Sequence, residues 1–130
     1  MIDEGLVAFL RQMPGVAAEV EDRIGPRPLP QGEKLPAVTY SDVSDVGSTS
    51  NSGPDCLSRL RYQIDHWAAT RGEARRVERA TRAALNGFRG QWPGGLRIGG
   101  VFRRNSWTVY EPETGLWRVI TDYRINAMGE

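Results

Sequence analysis

From Arg59 to Ala68 the chain alternates with a period of two. Leu60, Tyr62, Ile64 and Ala68 fall on one side, and Arg59, Arg61, Gln63 and Asp65 on the other. Successive side chains of a strand point to opposite faces, so this segment reads as a strand with one face to bury and one to leave polar. The pattern returns at the C-terminal end, where Trp117, Val119, Thr121, Tyr123 and Ile125 alternate with Arg118, Ile120, Asp122 and Arg124. Long strands of this kind suit an antiparallel sheet packed on a core by one face only.

The remaining segments arrange themselves around those strands. Asp3 caps a first helix running to about Met13, whose Leu6, Phe9, Leu10 and Met13 form one apolar stripe. Pro14-Gly15 stops it, and Val16 to Ile24 forms a short second turn with Val16, Val20 and Ile24 pointing one way. Gly25 to Gly32, rich in proline, reads as an extended loop, because proline neither donates to a ladder nor continues a helix. A strand over Ala37 to Val46 follows, with Val38 and Tyr40 on one side and Thr39 and Ser41 on the other. The serine-rich Gly47 to Pro54 offers nothing to bury and reads as a mobile tip. A second strand from about Cys56 to Ala68 completes a long hairpin.

Thr70-Arg71-Gly72-Glu73 has the spacing of a capping box, so a helix is expected from there to about Leu85, with Asn86-Gly87 ending it. Ala74, Val77, Ala80, Ala84 and Leu85 make its buried stripe. Arg75, Arg79 and Arg82 share an exposed flank, with Glu78 and Arg82 forming an i,i+4 pair. After the turn-rich Gln91 to Gly95, a strand from Leu96 to Glu111, bent at Gly99-Gly100, turns through Pro112 to Gly115 into the last strand, Leu116 to Ala127. The expectation is a single α+β domain over residues 1–130. It has an antiparallel sheet of about four strands in two hairpins, with two main helices packed on one face.

The chain's 130 residues suffice for a core without metal or disulfide. A formal net charge of +1 argues against a protein whose main task is to grip phosphates. Lys34 is the only lysine, so arginine carries nearly all the positive charge; interface use and genome composition both produce such a bias. Cys56 is the only cysteine, which excludes an intrachain disulfide. No run reaches the length of a membrane span, and acidic Asp3 and Glu4 precede the N-terminal apolar patch, so a cytoplasmic site of synthesis and no membrane partner are expected.

Chemistry finds little purchase. Asp65-His66 joins an acid to the only histidine, but strand neighbours face opposite ways and no second histidine completes a metal site. The serines show no nucleophile elbow, and neither Gly94-Gly95 nor Gly99-Gly100 fits a phosphate loop. No catalytic, cofactor-binding or metal-binding residue and no cofactor is assigned, and an enzyme is not expected. Arg71, Arg75, Arg76, Arg79 and Arg82 could face nucleic acid, but interleaved Glu73 and Glu78 weaken that field and favour a solvated flank. Of Trp67, Trp92, Trp107 and Trp117, some must be core, and Trp92 in its turn-rich connection is a candidate partner anchor. Arg75, Arg79, Arg82, Ser48 and Ser50 are the other candidate partner contacts.

In order and spacing these landmarks resemble the tail-terminator, or tail-completion, family of long-tailed phages. They are Pro14-Gly15-Val16 after the first helix, then Arg23-Ile24, Pro30-Gln31-Gly32 and Leu35 to Tyr40. Arg61 to Ala68 follows as an Arg-x-Gln-hydrophobic-Asp-x-Trp-Ala strand, then the helix start Thr70 to Ala74 and the closing Ile120 to Ile125. The resemblance runs from about residue 5 to 126; the serine-rich tip and Gln91 to Gly95 follow no fixed pattern. It implies a structural virion protein of the tail's neck, without catalytic residues. It further implies a homo-hexameric ring on the tail-tube protein that ends tube growth, meets the head-completion (stopper) protein and lets DNA pass its lumen without specific binding. An unsticking lumen needs acidic or balanced charge, for which Asp42, Asp45, Glu111 and Glu113 are candidates. An adaptor or stopper of the same neck and a small nucleic-acid-binding domain are the alternatives.

Overall fold

The computed structural model of the chain describes residues 2–47 and 57–128. The serine-rich tip, with Ser48 and Ser50, lies outside the described residues. The elements are α1 (Ile2–Gln12), α2 (Pro14–Val20), β1 (Ile24–Pro26), β2 (Ala37–Gly47), β3 (Leu57–Ala68), α3 (Arg71–Leu85), β4 (Gly90–Gln91), β5 (Arg97–Glu111) and β6 (Leu116–Met128). The strands form one sheet in the order β1-β2-β3-β6-β5-β4. The α+β class and both long hairpins match the sequence reading, but the sheet has six strands and is mixed.

Both added strands sit at the sheet's ends and are short. β1 pairs in parallel with Val38–Tyr40 of β2. Its Gly and Pro read as loop, yet an edge strand tolerates a proline whose missing N–H faces outward. β4 is two residues long, too short for any periodicity, and is placed only by pairing with Arg97 and Ile98. Pro14 also does more than stop α1: it begins α2 at the first helical position, where its missing N–H costs nothing and its fixed φ suits a helix.

Thr70 caps α3 as its spacing implies, its Oγ1 accepting from the Glu73 N–H at 3.2 Å. The Glu73 carboxylate turns towards Arg76, 3.8 Å away. At the other end Gly87, at φ +83°, takes the left-handed turn that releases the chain. Its N–H donates to Val101 O at 2.8 Å, tying the helix end to β5.

All three helices lie on the same face of the sheet. Leu6 and Leu10 of α1, Val16 and Val20 of α2, and Val77 and Leu85 of α3 are buried against Tyr62 and Ile64 of β3 and Tyr123 and Ile125 of β6. Each such side chain contributes roughly 1.5–3 kcal/mol on leaving water. Tyr62 also donates from its hydroxyl to the Asp3 carboxylate of α1. β2 bulges at Val43, between Asp42 and Ser44, and β5 bulges twice, at Gly99 and at Arg104. The first of the β5 bulges is the bend expected at Gly99-Gly100. No helix among the described residues is long and apolar enough to cross a membrane.

Candidate assembly surfaces

Neighbouring Asp65 and His66 do face opposite ways, and each is fully buried. His66 lies on the helix side. The Val119 carbonyl can only accept, so His66 Nδ1 carries the proton and donates to it at 2.9 Å. Nε2 is then bare and accepts from the Thr81 hydroxyl of α3 at 2.6 Å. Burial lowers the imidazole pKa to about 4, against the pull of the Val119 bond. The arrangement locks α3 to the sheet and leaves a neutral ring near pH 7.

A pH dependence follows. The unfolded chain takes up a proton at this histidine below about 6.5 and the folded one does not, so stability falls as pH drops from there towards 4. Each tenfold difference in proton affinity between the two states is worth about 1.4 kcal/mol, so the full loss is about 3 kcal/mol. Gln at this position cannot titrate and offers an amide donor and acceptor in place of the ring nitrogens. Urea unfolding of wild type and His66→Gln from pH 7 to 4.5 should show the two stabilities converging or crossing as pH falls. Parallel curves would contradict the assignment.

The opposite, helix-free face carries a continuous polar network. Arg27, just past β1, donates from Nε and Nη2 to both oxygens of Asp65 at 2.9 Å, and from Nη2 to Gln63 Oε1 at 3.0 Å. Thr39 donates to Asp65 at 3.3 Å and accepts from Trp67 Nε1 at 2.9 Å. The Arg118 guanidinium lies 3.9 Å from Asp65, pairs with Glu111 at 2.7 Å and stacks 4.9 Å over the Trp67 ring. Burial pushes the Asp65 carboxyl above the usual carboxylate range, while Arg27 pulls it back. Farther along the same face Arg59, Arg61, Arg104 and Arg124 surround Asp122, which pairs with Arg61 at 2.8 Å. Sequence reasoning missed Arg27, because a proline-rich loop has no periodicity to say which way a side chain turns.

On the helix side, Arg75, Arg79 and Arg82 border a hollow between α3 and β5 together with Arg103, Ser106 and Thr108. Glu78, at its floor and 4 % exposed, pairs with Arg82 at 3.2 Å and Arg103 at 3.4 Å. The expected Glu78–Arg82 pair is present. The burial of Glu78 was missed, although its place beside Ala74, Val77 and Thr81 puts it on the apolar stripe. Arg75 and Arg79 are exposed, and neither has a carboxylate at ion-pair distance among the described residues.

One reading needs correction. Trp92 is 1 % exposed and stacks on Phe9 at 5.7 Å, so it is core and not a partner anchor. The turn that holds it folds back under α1, which a Pro-Gly-rich composition does not reveal. The four acids offered as lumen candidates divide between the faces of the sheet. Asp42 pairs in register with Tyr62 and belongs to the helix-bearing face, whereas Glu111 lies on the open face, already paired with Arg118. Glu113 is exposed in the β5–β6 turn, and Asp45 holds the β2 register position opposite Leu60.

The described surface thus carries an ion-pair network on the open sheet face and the exposed Arg75 and Arg79 beside the hollow on the helix side. The sequence matches the family described as Tail completion protein gp17 over residues 4–126. The chain belongs to that family. As a tail completion protein it is a structural protein of the phage tail and has its place in the virion, in agreement with the resemblance read from its motifs. Among solved structures, a chain described as "Virion of native gene transfer agent (GTA) particle" shares the fold, with a TM-score of 0.73 at 17 % identity over 98 % of this chain and 95 % of that one. No curated protein matches the sequence.

Proposed function

We propose that this tail completion protein is a non-enzymatic tail terminator. In this reading six copies close into a ring on the head-proximal end of the tail-tube protein, stop its polymerisation and present the surface to which the head-completion (stopper) protein docks. DNA passes through the lumen without specific binding. The observation that carries the reading is the family match, which spans the whole fold and not one motif. Part of the surface chemistry supports it: Arg27, Arg61 and Arg118 of the open face are each paired with a carboxylate of the same chain, which weakens their hold on a passing polyanion. The four arginines around Asp122 favour a second reading, a neck component that touches DNA, but the near-neutral chain and the carboxylate in their midst weigh against a strong grip.

Particles assembled without the protein separate the possibilities. A terminator's absence is expected to give tails longer than normal, or heads and tails that never join. Open heads beside normal tails indicate an adaptor or stopper instead, and normal particles overturn the proposal.

A further inference from the structure

The sheet ends in two edges, and among the described residues each is covered over only part of its length. On one side β1 pairs with Val38–Tyr40 and leaves Ser41–Gly47 of β2 without an outer neighbour. On the other, β4 pairs with Arg97 and Ile98, Gly87 N–H donates to Val101 O, and Arg103 N–H donates to Asn86 Oδ1 at 3.1 Å. Asn105 Oδ1 accepts from the Ser106 N–H at 2.9 Å, and from there to Glu111 the edge of β5 has no strand beside it. That stretch, Ser-Trp-Thr-Val-Tyr-Glu, is β-branched and aromatic, with no proline and no basic residue. Natural proteins blunt exposed edges with lysine, proline or a covering loop, because an edge like this one templates another strand.

We propose that Ser41–Gly47 of one copy docks antiparallel on Ser106–Glu111 of the next, so that ring neighbours share one continuous sheet. This rests on the ring reading above. Direction fits: β2, β3, β6 and β5 alternate in sense, so β2 and β5 run opposite ways, and rotation about an axis near the strands preserves that sense from copy to copy. Unlike edges meeting head to tail propagate around a ring, whereas like edges pair once and stop at a dimer.

Charge fits as well. Ser106 and Thr108 border the hollow that holds Arg75 and Arg79, which lack carboxylate partners among the described residues. Asp42, exposed on the helix-bearing face of β2, comes to that same side when the sheet continues across the joint. The two open edges lie at opposite ends of the sheet. Ser41–Gly47 stands level, through β3 and β6, with Ile98–Asn105 and not with Ser106–Glu111. Joined copies are therefore staggered, and a flat ring must tilt its strands against its axis, as closed barrels do.

The test places Val43→Cys on β2 and Thr108→Cys on β5 in a Cys56→Ser background and treats the assembled protein with a short bismaleimide. The double variant is expected to give a ladder of covalent oligomers ending at the ring size measured by native mass spectrometry, while each single variant stays monomeric on a denaturing gel. A ring seen by mass without a ladder overturns the edge pairing and leaves the ring reading standing. Two-chain products from a single variant show like edges meeting and overturn it too. Absence of any ring overturns both.

Discussion

Truncating Trp92 to alanine is expected to cost about 3–5 kcal/mol of unfolding free energy, the range for deleting a buried aromatic that its surroundings cannot replace. Trp92 is 1 % exposed and lies in a cluster with Phe9 and Phe88, their ring centroids 5.7 and 6.4 Å away. Gly5 of α1 backs against it: a Cβ there would lie 3.4 Å from the indole Cε3. The ring thus joins α1, the end of α3 and the strap before β5, and little can collapse into the space it leaves. Its Nε1–H has no hydrogen-bond partner among the described residues, so the indole's polarity adds nothing to offset its burial. Trp92→Phe, which keeps most of the packing and removes that orphan donor, is expected to lose less than half as much. Chemical denaturation of both variants measures the difference, and equal losses would show that the polar atom matters and the packing argument fails.

Asp65→Ala is expected to cost about 3 kcal/mol, the lower end for breaking a buried ion pair, because the Arg27 it abandons can reach water. Asp65 is fully buried, while the Arg27 side chain is 35 % exposed. Removing Arg27 instead leaves a buried carboxylate with Arg118 at 3.9 Å and Thr39 at 3.3 Å as its remaining partners, so Arg27→Met is expected to be comparably costly. The double variant should lose clearly less than the sum of the two, since the second substitution removes the charge the first one stranded. Additive losses would mean that the pair is not coupled in solution. Hydrogen exchange adds a local reading: with the pair gone, amides of β1 and of the neighbouring Val38–Tyr40 should exchange faster, because Arg27 is what pins the chain leaving β1 to the open face.

Most of the secondary structure was legible because it repeats. The two-residue alternation of β3 and β6 and the apolar stripes of α1 and α3 extend over enough residues for the periodicity to be unambiguous, and Thr70 and Gly87 mark the ends of α3 with side-chain and backbone chemistry that acts locally. The opposite facing of Asp65 and His66 follows from strand geometry alone. The alternation did not say which polar residues would be buried. Thr39, Asp65 and Asp122 stand on the helix-free side of the sheet, yet each is at most 4 % exposed. Asp65 and Asp122 are paired with arginines from other parts of the chain and Thr39 bonds to Asp65 and Trp67, and a partner 38 residues away leaves no trace in local spacing.

The sequence by itself determined the class of fold, its long elements and the family, since these rest on periodicity and on the order of short motifs. Only the tertiary structure decided where each sheet edge is left open, that Trp92 belongs to the core, that the candidate acids divide between two faces, and that Arg27 closes the network around Asp65. The physical reason is range. Propensity, capping and alternation act over a few residues, whereas edge coverage and ion pairing depend on which distant backbone happens to lie alongside. β1 and β4 show the limit most clearly: three and two residues long, they are strands only because β2 and β5 are there to pair with them.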